Sequence, residues 1–348
     1  MACYHPLKGF KIGFNPNTGN DRIRVTSYTI DHVELRPDGK YYNCTDSGIS
    51  AFAKSYTDFV DIPCGRCIGC RLSRSKQWAD RAVLELQYHD YNYFLTITYD
   101  DDHIPSNEYV SDITGEIGES LTLKKEDLQK FWKDLRSNID YYYEGKKIRY
   151  MACGEYGSIT LRPHYHAIVF GLEIPDLKVY KQTINGDILY TSEWLNSIWK
   201  KGQIWIGNAT WESIAYVSRY VTKKLYGAEA KYYETFNLVP EFLVCSRKPG
   251  IGRQYYEDHK EDLFEKSKYF FPRSNGVGSA CPSRYFSNLF KIDFGAELVE
   301  SRKEKLKEQF EFRKNLKLEK TSLNYLDYLK TEEYNKIKST ESLKRNEI

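Results

Sequence analysis

The sequence predicts an α+β domain built on an antiparallel central sheet with flanking helices, preceded by a cysteine-rich knuckle and followed by a charged helical tail. Three observations predict it. β-Branched and aromatic runs recur at YFLTITY (Tyr93 to Tyr99), at IRYMACGE (Ile148 to Glu155) and from His164 to Phe170. Apolar residues recur at helical spacing between and after these runs. The resulting order, strand, helix, strand, strand, helix, suits an antiparallel sheet with helices packed against it.

Residues 1 to 60 read as short-stranded or irregular, with the turn clusters FNPNTGN and RPDGK between β-prone runs such as RIRVTSYTI. After PCGRCIGC, the segment RLSRSKQWADRAVLELQYHD repeats Leu72, Trp78, Ala82 and Leu86 at helical spacing. Arg71, Arg74, Lys76 and Arg81 fall between them, so a basic helix follows the cysteines. YFLTITY ends in the acidic turn DDDHIP. A turn-rich stretch then leads to Thr122, the expected N-cap of a helix that puts Leu128, Phe131, Trp132 and Leu135 on one face. Another helix is predicted to start near Trp211 to Ser213 and to run through AYVSRYVTKKL, with Val217, Val221 and Leu225 as its buried stripe. CSRKPGIGRQYY and FPRSNGVGSACPSRYF suit ordered loops that touch a charged polymer. From about Glu297 the chain is mixed in charge and almost without Gly or Pro, which predicts one long exposed helix with i,i+4 pairs. The expected divisions are an N-terminal region over 1–90, a catalytic domain over 91–230, a Gly/Pro/Arg/Tyr-rich region over 231–295 and the tail over 296–348.

At 348 residues the chain can bury one large core or two smaller ones. Its net charge of +3 is no global excess, so any nucleic-acid binding must come from local patches. Aromatic residues make up 15%, with 30 tyrosines, enough to supply stacking surfaces as well as core. No apolar run spans a bilayer, and MACYHPLKGF lacks the features of a signal peptide, so a soluble cytoplasmic protein without membrane partners is expected. In a reducing compartment, clustered cysteines read as a metal site before they read as disulfides.

Three constellations carry chemistry. In RPHYHAIVF, His164 and His166 are two apart in a strand and so share a face, as chelating ligands would; two hydrogen-bonded core histidines would fit the same spacing. Glu155 ends the preceding strand, and a hairpin through YGSITLRP returns it beside His164. A His2Glu set leaves open coordination positions and suits a catalytic divalent ion, Mn2+ better than Mg2+. In AYVSRYVTKK, Tyr216 and Tyr220 are one helical turn apart and Lys224 continues their face. Half-buried packing tyrosines would match that spacing, but valines occupy a separate stripe, and a phenolate beside a cation can act as a nucleophile. In CGRCIGC, the tandem C-x2-C spacing of Cys64, Cys67 and Cys70 is a thiolate-metal signature one ligand short of a closed zinc site. Cys3 is the expected fourth ligand and His5 the alternative.

FLTITY, then GEYG with RPHYH, then YVSRYVTKK, resembles the ordered motif set of HUH endonucleases, the rolling-circle replication initiators of single-stranded DNA viruses and plasmids. With PCGxCxxC near the start and PGIG late, the chain resembles more narrowly the replication initiation proteins of gokushoviruses, in the bacteriophage family Microviridae. The resemblance covers about residues 60 to 290. It implies an HUH-like fold in which His164, His166 and Glu155 bind a catalytic Mn2+ or Mg2+ and Tyr216 and Tyr220 are nucleophiles. Lys224 and Lys223 would stabilise phosphate charge. The implied activity is nicking of single-stranded origin DNA through a 5'-phosphotyrosine, release of a 3' hydroxyl that primes a host polymerase, and rejoining of the strand, in the cytoplasm of a bacterial host. Tyr165 stands where many relatives have an aliphatic residue, on the face away from the ligands.

Candidate phosphate contacts are Arg66, Arg71, Arg74 and Lys76 near the knuckle and Arg247, Lys248 and Arg253 around PGIG. No phosphate-binding P-loop is present, so unwinding would fall to a host helicase. The competing reading is a zinc-stabilised origin-binding protein that recruits a host nuclease. It leaves the histidine and tyrosine pairs without a purpose. A transposase or conjugative relaxase of the same superfamily is a third reading, and the cysteine knuckle ahead of FLTITY weighs against it.

Overall fold

The computed structural model describes residues 3–17, 20–45, 48, 50–142, 147–183, 186–219, 224–273 and 276–341. The chain divides into two compact units, one of residues 1–73 with 309–346 and the other of residues 74–308.

The N-terminal unit holds two small antiparallel sheets. In the first, β1 (Leu7–Asn15) lies between β2 (Asn20–Ser27) and β6 (Phe59–Ile62); in the second, β3 (His32–Leu35) lies between β4 (Tyr41–Cys44) and β5 (Lys54–Tyr56). Phe10 and Val33 are fully buried, and Phe10 packs its ring 5.7 Å from Phe59. The region is thus more regular than its turn-rich sequence suggests, because strands this short gain order only by pairing.

In the larger unit, a seven-stranded antiparallel sheet carries the core. Helix α1 (Ile68–Leu86) leads to β7 (Asn92–Thr98), the ribbon β8 (Ser106–Val110) and β9 (Ile117–Leu121), α2 (Lys125–Tyr142), β10 (Arg149–Tyr156) and β11 (Pro163–Phe170). Then follow β12 (Lys178–Gln182), β13 (Ile188–Thr191), α3 (Glu193–Trp199), β14 (Ile204–Asn208), α4 (Trp211–Arg219), α5 (Lys231–Thr235) and β15 (Phe242–Cys245). The strand order is β12-β13-β14-β7-β11-β10-β15, so β7 and β11 lie inside the sheet. Leu95 and Ile97 of β7 and Tyr165, Ala167 and Val169 of β11 point to one face, beneath Leu128, Phe131, Trp132 and Leu135 of α2 and Leu195 and Trp199 of α3. Met151, Cys153, Ile168 and Phe170 point to the other, beneath Ala82 and Val83 of α1 and Ile214 and Val217 of α4. Both faces are covered, which is why the run after His166 is continuously apolar instead of alternating. The predicted α+β class with a large antiparallel sheet is borne out.

Several expectations need correction. Thr122 does not cap α2: it is 4% exposed, and its hydroxyl accepts the Val239 N–H at 3.0 Å, a contact 117 residues away. The Gly/Pro/Arg/Tyr-rich region is mostly not loop. It contributes β15, α6 (Arg253–Lys266), the hairpin of β16 (Tyr269–Arg273) with β17 (Gly276–Ala280), and α7 (Arg284–Asp293). Tyr256 and Phe286 are wholly buried there, so these aromatic residues were recruited for core packing. The tail is two helices, α8 (Ala296–Leu318) and α9 (Tyr325–Glu341). The break at Asn324 is a capping site, with Asn324 Oδ1 accepting the Asp327 N–H at 3.0 Å. Tyr325 packs its ring 5.9 Å from Tyr28, and Leu329 is 3% exposed, so α9 is a packed element of the N-terminal unit.

Candidate active site

The β10–β11 register sets Glu155 opposite His164 and Cys153 opposite His166. Strand alternation turns Glu155, His164 and His166 to one face, where they meet. Glu155 Oε1 lies 2.8 Å from His164 Nε2 and 3.1 Å from His166 Nε2, and the two rings stand perpendicular at 4.9 Å. Glu155 is wholly buried, whereas the His164 side chain is 18% exposed and forms the open side of the cradle.

Outer partners fix this geometry. His164 Nδ1 lies 3.1 Å from the Arg162 carbonyl, which can only accept, so Nδ1 carries the hydrogen. In a neutral ring, Nε2 then presents its lone pair to a carboxylate oxygen. Two lone pairs at that separation require a cation between them, either a proton on the ring or a metal. Burial pushes the Glu155 carboxyl up, but the hydrogen bonds from His164 and His166 outweigh it and hold the group at about 2. His166 Nδ1 sits 3.1 Å from Thr96 Oγ1, and its ring stacks on Phe94 at 5.4 Å. The donor set, two imidazoles and a carboxylate with open positions, fits a divalent transition ion.

Tyr216 comes to this cradle from α4. Its ring stands edge-on to His166 at 5.2 Å and to Phe94 at 6.0 Å. Tyr220, Val221 and Lys223 lie outside the described residues. Lys224 does not extend the tyrosine face, because Lys224 and Leu225 are not helical.

In the N-terminal unit, Cys3, Cys64, Cys67 and Cys70 bring their sulfurs within 4.8 Å of one another, a cluster that could hold a metal such as zinc. Amides point at the sulfurs: Cys67 N–H to Cys64 at 3.3 Å, Cys70 N–H to Cys67 at 3.4 Å, and Cys64 N–H to Cys3 at 3.2 Å. Gly65 permits the turn with a φ of +74°. The Cys3 thiol, donating to Cys67, holds Cys67 down at about 4, so the site favours thiolate. His5 is elsewhere, 2.5 Å from Glu333. The sequence reading missed a third group, His32, Glu34 and Cys44. There Glu34 already accepts the Ser50 N–H at 2.8 Å and Arg36 Nε at 3.1 Å, so it reads as a buried ion pair.

Of the candidate phosphate contacts, Arg66, Arg74, Arg247 and Lys248 are exposed, and Arg71 is half-buried. Lys76 is held by Asp80 at 2.6 Å, and Arg253 by Glu257. The PGIG turn itself is not a phosphate cradle. Its Gly252 N–H donates to Glu85 Oε2 at 2.6 Å, its Ile251 carbonyl accepts Arg81 Nε at 2.9 Å, and its Pro249 carbonyl accepts from Arg149 at 2.8 Å. Arg149 also forms an ion pair with Glu85 at 2.6 Å. Glu85→Ala would leave the Arg149 charge and the Gly252 amide unmatched in a buried place, and is expected to lower unfolding stability by about 3–5 kcal/mol in denaturant titration. A loss below about 1 kcal/mol would show that the clamp is dispensable.

Fold and site together define an α+β protein with a His2Glu cradle and an adjacent tyrosine on one face of an antiparallel sheet. The family model for the replication-associated protein ORF2 family matches residues 92–225. The replication-associated protein ORF2 of Spiroplasma virus 4 is 31% identical over 347 residues, covering 96% of this chain and 94% of that protein. The replication-associated protein VP4 of Bdellovibrio phage phiMH2K is 32% identical, covering 74% of this chain and 76% of that one. Replication-associated protein ORF4 of Chlamydia phage 1 is 36% identical over 47% of this chain and 38% of its own length. No solved structure matches significantly. The chain belongs to the replication-associated protein ORF2 family, and the resemblance to gokushovirus replication proteins is borne out. Among the described residues, no helix is long and apolar enough to cross a membrane.

Proposed function

We propose that the protein is a replication initiator that nicks and rejoins single-stranded origin DNA through a tyrosine-linked intermediate in an HUH-type site. The observation that carries this reading is the Tyr216 ring against His166 in a buried His2Glu cradle. A divalent ion such as Mn2+ held by Glu155, His164 and His166 would polarise the scissile phosphate as a Lewis acid. Tyr216 Oη forms the bond to phosphorus, and the ribose 3' oxygen leaves and takes a proton to become the priming hydroxyl. The 5'-phosphotyrosine diester conserves the energy of the broken bond, so the reverse attack rejoins DNA without ATP. Tyr220 is assigned the second cleavage, after a host helicase and polymerase have regenerated the origin. Lys223 and Lys224 are assigned to phosphate charge. The Cys3, Cys64, Cys67 and Cys70 cluster is assigned a structural zinc.

The test incubates protein, Mn2+ and end-labelled single-stranded oligonucleotides tiling its own genome, and looks for an adduct that survives denaturing electrophoresis. Wild type should form it. The Tyr216→Phe, Tyr220→Phe double variant and EDTA-treated protein should not, with a loss on the order of 10³-fold or more, as for deletion of a nucleophile. DNA binding without any adduct would favour the competing origin-binding protein that recruits a nuclease.

A further inference from the structure

The same sheet face continues past the cradle to a surface that the chemistry above does not use. His166 pairs with Thr96 on β7, and Thr96 pairs on its other side with Trp205 on β14. The Thr96 hydroxyl reaches His166 on this face, while Ile204 and Ile206 on either side of Trp205 are buried on the opposite one, so Trp205 shares the face of the cradle. At about 4.8 Å per strand, its backbone lies roughly 10 Å from that of His166. The Tyr180 ring of β12 lies 4.4 Å from the Trp205 ring, with Lys181 Nζ 5.9 Å from the Tyr180 centroid. Every residue of β12 is exposed, Tyr180 by 54% and Val179 by 67%. Lysines on an edge strand discourage strand pairing, which accounts for Lys178 and Lys181. It does not account for an exposed tyrosine laid on a tryptophan in line with the candidate metal ligands.

We propose that Tyr180 and Trp205, with Lys181, form a stacking platform for bases of the single-stranded DNA that flanks the bond held at the Glu155, His164 and His166 cradle. The assignment rests on the reading of that cradle as a DNA-cleaving site. Two π-faces beside a cation match the base and backbone of an unpaired strand, whereas duplex DNA hides its base faces. The distance from the cradle is on the order of a few nucleotides, so the platform would set the register of the strand and take no part in bond breaking.

Binding of fluorescein-labelled single-stranded and duplex oligonucleotides, measured by anisotropy on the full chain in EDTA, tests this without cleavage. Tyr180→Ala should weaken single-strand binding roughly 5- to 100-fold and leave duplex binding unchanged, while Tyr180→Phe keeps wild-type affinity. Lys181→Gln should flatten the salt dependence by about 0.7 in log–log slope. Tyr180 is exposed, so the variants should melt as wild type does. Wild-type single-strand affinity in Tyr180→Ala overturns the platform, and a changed oligomeric state with unchanged DNA affinity would replace it with a contact between copies of the chain. Tyrosine-dependent single-strand binding without any covalent adduct would sink the nicking reading and leave the platform standing.

Discussion

Glu155→Gln is expected to reduce Mn2+-dependent adduct formation by more than about 100-fold, beyond the loss usual for an outer-shell partner of a metal. Glu155 Oε1 is the one atom within hydrogen-bond distance of both His164 Nε2 and His166 Nε2, and it carries the negative charge of the cradle. Glutamine keeps the shape and removes the charge, so it separates coordination from packing. Raising the Mn2+ concentration should recover part of the activity, because the defect lies in affinity for the ion. Adduct formation at the wild-type rate in the Gln variant would mean that the cradle is only a hydrogen-bonded histidine pair.

The second large effect concerns the knuckle. Purified protein is expected to carry stoichiometric zinc, and removing it with a chelator should lower the melting temperature and expose the N-terminal unit to protease. Structural zinc sites contribute on the order of 10–16 kcal/mol of apparent binding energy in small domains. The amides aimed at Cys64, Cys67 and Cys3 would otherwise face neutral thiols. Cys67→Ala should reproduce the chelator's effect without the chelator. Zinc-free protein with an unaltered melt after chelation would show the four sulfurs to be ordinary packed thiols.

Some parts of the molecule could be read before any fold was known. His164 and His166 share a face wherever that segment forms a strand, and a tight hairpin returns Glu155 to them from nine residues away. The helical face of Leu128, Phe131, Trp132 and Leu135 was equally legible, and all four are buried. Thr122, by contrast, carries every local mark of an N-cap, and its hydroxyl is taken by Val239. The predicted continuation of α4 to Lys224 failed for a related reason: helical periodicity in a sequence does not say where the helix stops.

The sequence by itself determined what short-range stereochemistry can enforce: the strand and helix alternation, the shared face of the two histidines, the spacing of the cysteines and the replication-protein motif order. The tertiary structure decided what depends on partners far along the chain. Gly252 is held by Glu85 from 167 residues away, so a loop that looks made for phosphate is a structural clamp. Tyr325, in a tail that reads as solvated, packs against Tyr28. Trp205 and Tyr180 come into line with His166 only through strand pairing. Periodicity records which side of an element is apolar, and only the closed fold supplies the surface that side meets.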